Sequence, residues 1–156
     1  MISIVGIGNA ASKIAEKFRA TKNYNVYALN SNVERKTKYK YKLKSYDSPE
    51  QYEKNIPDLS KFFSSIDDHV QLFVVGSSHS SNYSLGILQQ LQGKKIDIFY
   101  IQPDTELMTG IPKMLDKIVF GVLQEYARSG LLNSFTPISN IMVERSIGNI
   151  PIKTYY

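Results

Sequence analysis

The stretch SIVGIGNAASKIAEKF, residues 3–18, joins an apolar run to a helix-like pattern through two glycines that lie two positions apart. The run at residues 2–7 is short and rich in β-branched residues, which is typical of a strand buried on both faces. Residues 9–20 place Ile14 and Phe18 on one helical face and charged residues on the other. The stretch therefore predicts a strand, a tight glycine turn and a helix.

The glycine turn has the spacing G-x-G-x-x-A, formed by Gly6, Gly8 and Ala11. Such a turn lets the backbone approach a nucleotide phosphate closely, and the free N–H groups of the following helix point at the anion. We therefore expect Gly6, Gly8, Asn9 and Ala10 to contact a bound nucleotide. The alternative is that the glycines serve the packing of the turn alone, since many strand–helix turns contain two glycines.

The rest of the chain alternates between strand-like and helix-like segments. Further strands are predicted over 24–30, 37–44, 70–76, 95–103 and 134–144, and helices from Ser48, over 58–66, 81–92 and 111–129. This alternation predicts one α/β domain over residues 1–156, with a three-layer, Rossmann-like, mostly parallel sheet and helices on both faces. Ligands of such sheets bind outside the carboxyl ends of the strands.

Composition narrows the class of protein. The chain has 156 residues, of which 42% are apolar and 21% charged, as in an ordinary globular protein. Cysteine is absent, which excludes disulfides and thiolate metal sites. No apolar run approaches the roughly 20 residues of a membrane span, and no basic leader precedes the first strand. We expect a cytoplasmic protein without a membrane partner.

One segment carries most of the net charge of +5. Its basic residues are Arg35, Lys36, Lys38, Lys40, Lys42 and Lys44, with Tyr39 and Tyr41 between them. Such a tract can contact phosphates and stack on bases, so nucleic acid is one candidate partner. The favoured interpretation is an exposed edge strand, on which alternating lysines discourage pairing with another sheet.

A second polar cluster follows the apolar run LFVV. It consists of Gly76, Ser77, Ser78, His79, Ser80 and Ser81. Five polar residues are many for a short turn before a helix, so we expect them to donate to a phosphate. The alternative is a solvated loop in which Ser81 or Asn82 caps the helix.

Two acids and two histidines complete the candidate residues. Asp104 and Glu106 follow the strand 95–103 and are expected to hold ribose hydroxyls, although acids that lead into a helix would look the same. His79 and His69 lie on either side of a strand without an acidic cluster, so no metal site is predicted. No catalytic residue is predicted either.

Four segments resemble the tubulin/FtsZ superfamily in order. Residues 5–18 resemble its first nucleotide loop and helix, 26–32 the next strand and loop, and 72–92 its signature strand, loop and helix. Residues 95–110 are similar to the strand and Pro-containing ribose loop that follow. The resemblance implies a GTP- or GDP-binding domain that acts as a structural or assembly component, in a homo-oligomer or a larger protein assembly.

The chain also departs from that family. Serines and His79 stand where the signature loop has glycines. The central helix, the catalytic acidic loop and the C-terminal domain of the family would begin about where this sequence ends. GTP hydrolysis is therefore not expected, and a degenerate site would bind no nucleotide at all. The short length of the chain suggests that it comes from a virus or mobile element. The protein would then be located in the host cytoplasm or the virion.

Two other functions fit the sequence. An NADP-binding domain of an oxidoreductase is one, because no acid ends the second strand, and Asn30, Ser31 and Arg35 are suited to a 2′-phosphate. The other is an interaction module without a ligand, which uses its basic face.

Overall fold

The structure, a computed structural model, describes residues 1–35, 37–76, 79–102 and 110–139. The strands are β1 (Ile2–Ile7), β2 (Tyr24–Asn30), β3 (Lys40–Lys42), β4 (His69–Val75), β5 (Lys95–Gln102) and β6 (Ser134–Ser139). The helices are α1 (Asn9–Glu16), α2 (Pro49–Lys54), α3 (Ser84–Gln90) and α4 (Ile111–Arg128), and a 3₁₀ helix (His79–Tyr83) precedes α3.

The six strands form one sheet in the order β3-β2-β1-β4-β5-β6, and all neighbours run parallel. The predicted α/β class with a parallel sheet is confirmed. The chain builds the sheet outward from β1 to β3, then crosses back and continues from β4 in the other direction. The carboxyl ends of β1 and β4 therefore flank a topological switch point, where sheets of this kind have a crevice.

Side chains alternate between two cores, one on each face of the sheet. Val5, Ile7 and Leu29 belong to the larger core, which also contains buried residues from α2, α3 and α4. Ile4 and Val26, one position away in the same strands, pack with α1 on the other face. Helices therefore lie on both faces, as predicted, and the alternation follows from the period of two in a strand.

Gly6 allows α1 to sit directly on β1. A Cβ atom added to Gly6 would lie 2.6 Å from the carbonyl oxygen of Ala11 and 2.9 Å from Cα of Ser12. Both are backbone atoms, so no side-chain movement would relieve the overlap. The buried Ser12 hydroxyl donates to the carbonyl oxygens of Gly6, at 3.4 Å, and of Leu29, at 3.5 Å.

The segment 58–66, predicted as a helix, forms turns over residues 60–65 and no regular helix. Its apolar residues Leu59, Phe63 and Ile66 are buried in the larger core, which explains their helix-like spacing. The N–H of Leu59 donates to Oε1 of Gln90 on α3, at 2.6 Å. Tertiary contacts of this kind provide hydrogen-bond partners for backbone N–H groups without a regular helix.

The edge strand differs from its predicted form. The strand predicted over 37–44 is reduced to Lys40–Lys42, because Thr37 pairs antiparallel with Lys40 across a turn. On α4, Val119 is buried, whereas Ile118 is 46% exposed. Asp116 is also buried on this helix and accepts a hydrogen bond from Oη of Tyr100 at 2.6 Å. None of the described helices is long and apolar enough to cross a membrane.

The contact at Gly6 predicts the effect of a single methyl group. Gly6→Ala should lower the free energy of unfolding by about 1–3 kcal/mol, because α1 must move away from β1. Gly121→Ala is the matched control, since a Cβ there meets nothing within 4 Å. In the interior of α4 that change should stabilise the protein by up to about 1 kcal/mol. Urea denaturation measures both values, and a Gly6→Ala variant as stable as the wild type would contradict this packing.

Candidate functional site

The carboxyl ends of β1, β2 and β4 form one rim of the sheet. Ile7, the last residue of β1, is level with Leu29 on one side and with Val74 on the other. Gly8 and Gly76 therefore follow their strands, and Asn30 ends β2, at the same edge of the sheet.

Gly8 turns the chain from β1 into α1 with φ 95° and ψ 170°, a backbone conformation that side chains disfavour. Its N–H donates to the carbonyl oxygen of Leu29 at 2.6 Å, which ties the turn to β2. The N–H of Ser12 donates to the carbonyl oxygen of Gly8 at 2.9 Å and closes the first turn of the helix.

The start of α1 is well suited to an anion. The N–H groups that precede Ser12 have no acceptor within the helix, as at every α-helix N-terminus. Gly8 has no side chain that could cap them, and the first turn contains no acidic residue. The helix dipole adds a partial positive charge at this end. Asn9 and Ala10, the predicted contacts, are the first two residues of the helix.

A groove of about 620 Å³ opens beside this helix end, on the side of β2 and β3. Its polar lining includes Asn9, Ser12, Lys13, Asn30, Arg35 and Lys40. The side-chain oxygen of Asn30 accepts the N–H of Asn32 at 2.9 Å and so fixes the turn after β2. Ser31, which the sequence groups with Asn30 and Arg35, is not part of the lining.

The groove also contains two carboxylates, which bear on its charge. Glu16 and Glu34 line it together with Lys13, Arg35 and Lys40. A hydrogen bond from Arg19 lowers the pKa of Glu16, so this carboxylate is ionised. It is paired with Arg19, which is not one of the residues that line the groove. The groove retains a small excess of positive charge, which suits a phosphate.

Gly76 is explained by packing behind it. A Cβ atom there would lie 2.5 Å from Oδ1 of Asp116 and closer still to the hydroxyl of Tyr100. Burial, followed by the hydrogen bond to Asp116, raises the pKa of Tyr100, so its hydroxyl stays a donor to this carboxylate. Contact of Gly76 with a ligand stays a prediction.

The other predicted site residues are only partly covered by the structure. Ser77, Ser78, Asp104 and Glu106 lie outside the described residues. His79 and Ser80 begin the 3₁₀ helix, and Ser81, in the same helix, is buried. Their proposed contacts with phosphate and ribose stay predictions. Among the described residues, no group of three or more His, Asp or Glu side chains could hold a metal ion.

The opposite rim contains a polar network that the sequence interpretation missed. Asp97 is 7% exposed and accepts hydrogen bonds from His69, at 2.5 Å, Asn133, at 2.7 Å, and Ser134, at 2.6 Å. Burial alone would raise the pKa of this carboxyl, but the three hydrogen bonds outweigh it and lower the pKa to about 2. The available signal was an acid inside the apolar run KIDIFYI.

A second carboxylate ties the amino ends of β1 and β2 together. Asp67 accepts hydrogen bonds from Oγ of Ser3 at 2.7 Å and from Nδ2 of Asn25 at 2.9 Å. The hydrogen bond from Asn25, then that from Ser3, lowers the pKa of Asp67. The buried polar groups of this rim thus bind one another, which leaves the carboxyl rim as the candidate site.

Comparison with known proteins does not assign the chain to a family, because no family model and no curated protein matches it. The likeness to the tubulin/FtsZ superfamily therefore rests on the sequence segments quoted above. The strand order is that of dinucleotide-binding Rossmann folds, a class that fits NADP, and it does not by itself identify the nucleotide.

The Asp97 network predicts a specific loss of stability in acid. Its pKa is lowered from 3.8 to about 2, so the network stabilises the protein fully above about pH 4 and loses this contribution as the pH falls towards 2. The contribution at neutral pH is about 2 kcal/mol. Between pH 5 and pH 2 the free energy of unfolding should fall by about that much more in the wild type than in Asp97→Asn.

Urea denaturation at a series of pH values measures this difference. Asp68→Asn is the control, because the Asp68 side chain is fully exposed and contacts only Lys94. It should keep the wild-type dependence on pH. An Asp97→Asn variant with an unchanged pH dependence would show that the network does not hold Asp97 ionised.

Proposed function

We propose that this chain is a nucleotide-binding domain that holds a phosphate group at the N-terminus of α1. The observation that carries the proposal is the turn at Gly8, whose positive φ directs the first N–H groups of the helix at the rim beside the groove. The free N–H groups, the helix dipole and the absence of an acid from the first turn all favour binding of an anion.

The nucleotide we propose is GTP or GDP, in the manner of the tubulin/FtsZ superfamily. Support comes from the resemblance of residues 5–18 to the first nucleotide loop and helix of that family, and from the position of this segment beside the switch point of the sheet, where folds of this kind bind their ligands. The role that goes with it is structural, in a homo-oligomer or a larger assembly. No catalytic step is proposed.

A second candidate ligand is NADP, and the groove favours it. Asn30 and Arg35 both line the groove on the β2 side of α1. In a dinucleotide-binding fold the adenosine ribose lies at the end of the second strand, where an arginine accommodates the 2′-phosphate. The two candidates share the phosphate at α1 and differ in the direction of the rest of the nucleotide: across the switch point for GTP, and into the groove for NADP.

A carboxylate placed at the first helical position tests the shared phosphate site. Asn9 is exposed, and Asn9→Asp should preserve or slightly increase stability, because an acid there complements the helix dipole by about 0.3–1 kcal/mol. The same carboxylate repels a phosphate within a few ångströms, so affinity for the bound nucleotide should fall by about tenfold or more.

Thermal shift with GTP, GDP, ATP and NADP identifies the ligand, since a bound nucleotide raises the midpoint by mass action. Calorimetry then compares Asn9→Asp with Gln124→Glu, which adds the same charge at an exposed position of α4. Only Asn9→Asp should weaken binding. No response of the wild type to any nucleotide, or equal binding by both variants, would overturn the proposal.

The NADP candidate predicts a selective effect of Arg35. Arg35→Ala should lower affinity for NADP by about tenfold or more, the size of a hydrogen bond to a charged group, and leave affinity for NAD unchanged. GDP binding should also be unaffected. Calorimetry with the three nucleotides measures this, and an unchanged preference between NADP and NAD would exclude a 2′-phosphate site at Arg35.

A further inference from the structure

A second cavity, of about 430 Å³, lies at the carboxyl end of β3. The loop after β3 forms one wall, and the end of α2 with the segment after it forms another. Its aromatic and charged lining consists of Tyr41, Tyr46, Tyr83, Lys42, Lys44 and Lys54. Among the described residues, none lines both this cavity and the groove beside α1.

The tyrosine wall of this cavity is held in place by the core. Oη of Tyr83 donates to the carbonyl oxygen of Lys44 at 2.6 Å, and the N–H of Tyr46 donates to Oη of Tyr52 at 3.0 Å. The ring of Tyr52 stands edge-on to both Tyr46 and Tyr83, with centroids 5.3 and 4.9 Å apart. The loop is therefore positioned before any ligand arrives.

The charged side chains that line the cavity have one sign. Lys42, Lys44 and Lys54 are all exposed, and the described residues that line the cavity include no acid. Within the described part of the chain, none of the three ammonium groups forms an ion pair. Protection of the sheet edge explains lysines on β3 itself. It does not explain Lys54, which reaches the same cavity from α2.

The basic surface continues along the edge strand. Lys40 and Lys42 lie on the same face of β3, about 6.7 Å apart along the strand. Lys40 lines the groove beside α1 and Lys42 lines the second cavity. Lysines of the same edge strand therefore lie at both depressions.

From this combination we infer that the edge of the sheet at β3 binds single-stranded nucleic acid. Lys42, Lys44 and Lys54 contact successive phosphates, and a base stacks on the half-buried rings of Tyr41 or Tyr46. Lysines that follow a backbone, together with aromatic rings that accept any base, are the usual elements of such sites. A duplex fits poorly, because its paired and stacked bases are not free to enter a cavity. This inference does not rest on nucleotide binding at α1.

The test is fluorescence anisotropy with a labelled 15-nucleotide oligo-dT over a series of salt concentrations. Contacts to about three phosphates give a slope of about −2 for the logarithm of the binding constant against the logarithm of the salt concentration. The variant Lys42→Gln/Lys44→Gln should bring this slope to about −0.7 and weaken binding by tenfold or more at low salt. Both lysines are exposed, so circular dichroism should show an unchanged fold.

The matched control is Lys113→Gln/Lys117→Gln, which removes the same charge from exposed positions on α4 and should bind as the wild type does. Three further probes test the stacking: an abasic strand of equal length, a 15-base-pair duplex and poly-glutamate. Each should bind at least about fivefold more weakly than oligo-dT.

Absence of binding at low salt would overturn the inference, as would equal losses in the two double variants. Equal affinity for oligo-dT and the abasic strand would show that no base stacks on the tyrosines. Equal affinity for poly-glutamate or for the duplex would show a surface that is merely basic, and would equally overturn it.

Discussion

The structure depends on the close contact between the backbone of β1 and that of α1 at Gly6. A side chain at this position would overlap the carbonyl group of Ala11, so the distance between helix and strand is set by the absence of a Cβ atom. Gly8 then supplies the positive φ that starts the helix immediately after the strand. Together the two glycines determine where the free N–H groups of α1 lie and which edge of the sheet they face. The candidate phosphate site follows from packing before any ligand is considered.

The two rims of the sheet use polar residues in different ways. At the amino rim, Asp67 and Asp97 take hydrogen bonds from neighbouring strands, so that their charges hold the sheet together. At the carboxyl rim, the start of α1 and the groove beside it leave donors and positive charges accessible to a ligand. The Tyr100–Asp116 pair is the exception at this rim, because it fills the space behind Gly76. Burial and satisfied hydrogen bonds thus separate the structural polar groups from the candidate functional ones.

Local sequence predicted those elements whose pattern is determined by burial in the sheet. β1 and β2 have the predicted bounds and β4 and β5 differ by one residue, because apolar β-branched runs buried on both faces leave few alternatives. The segment 58–66 has helical spacing but folds as turns, since its apolar residues are placed by the core rather than by a helix. On α4, Ile118 is exposed, whereas Asp116 is buried and accepts a hydrogen bond from Tyr100. A buried carboxylate of this kind is invisible to hydrophobic periodicity.

The site was predictable to the extent that it is local. The turn at Gly8 and the position of Asn30 follow from strand ends in a parallel sheet, whereas the presence of Lys54 and Lys42 in the lining of one cavity depends on tertiary packing. The central claim is that the first N–H groups of α1 hold a phosphate. Amide NMR with the isotope-labelled protein tests it most directly, by titration with GDP, NADP and inorganic pyrophosphate. The account predicts that the largest shift changes fall on the amides of residues 8–12 with at least one nucleotide. Changes confined to other parts of the chain, or none at saturating concentrations, would contradict it.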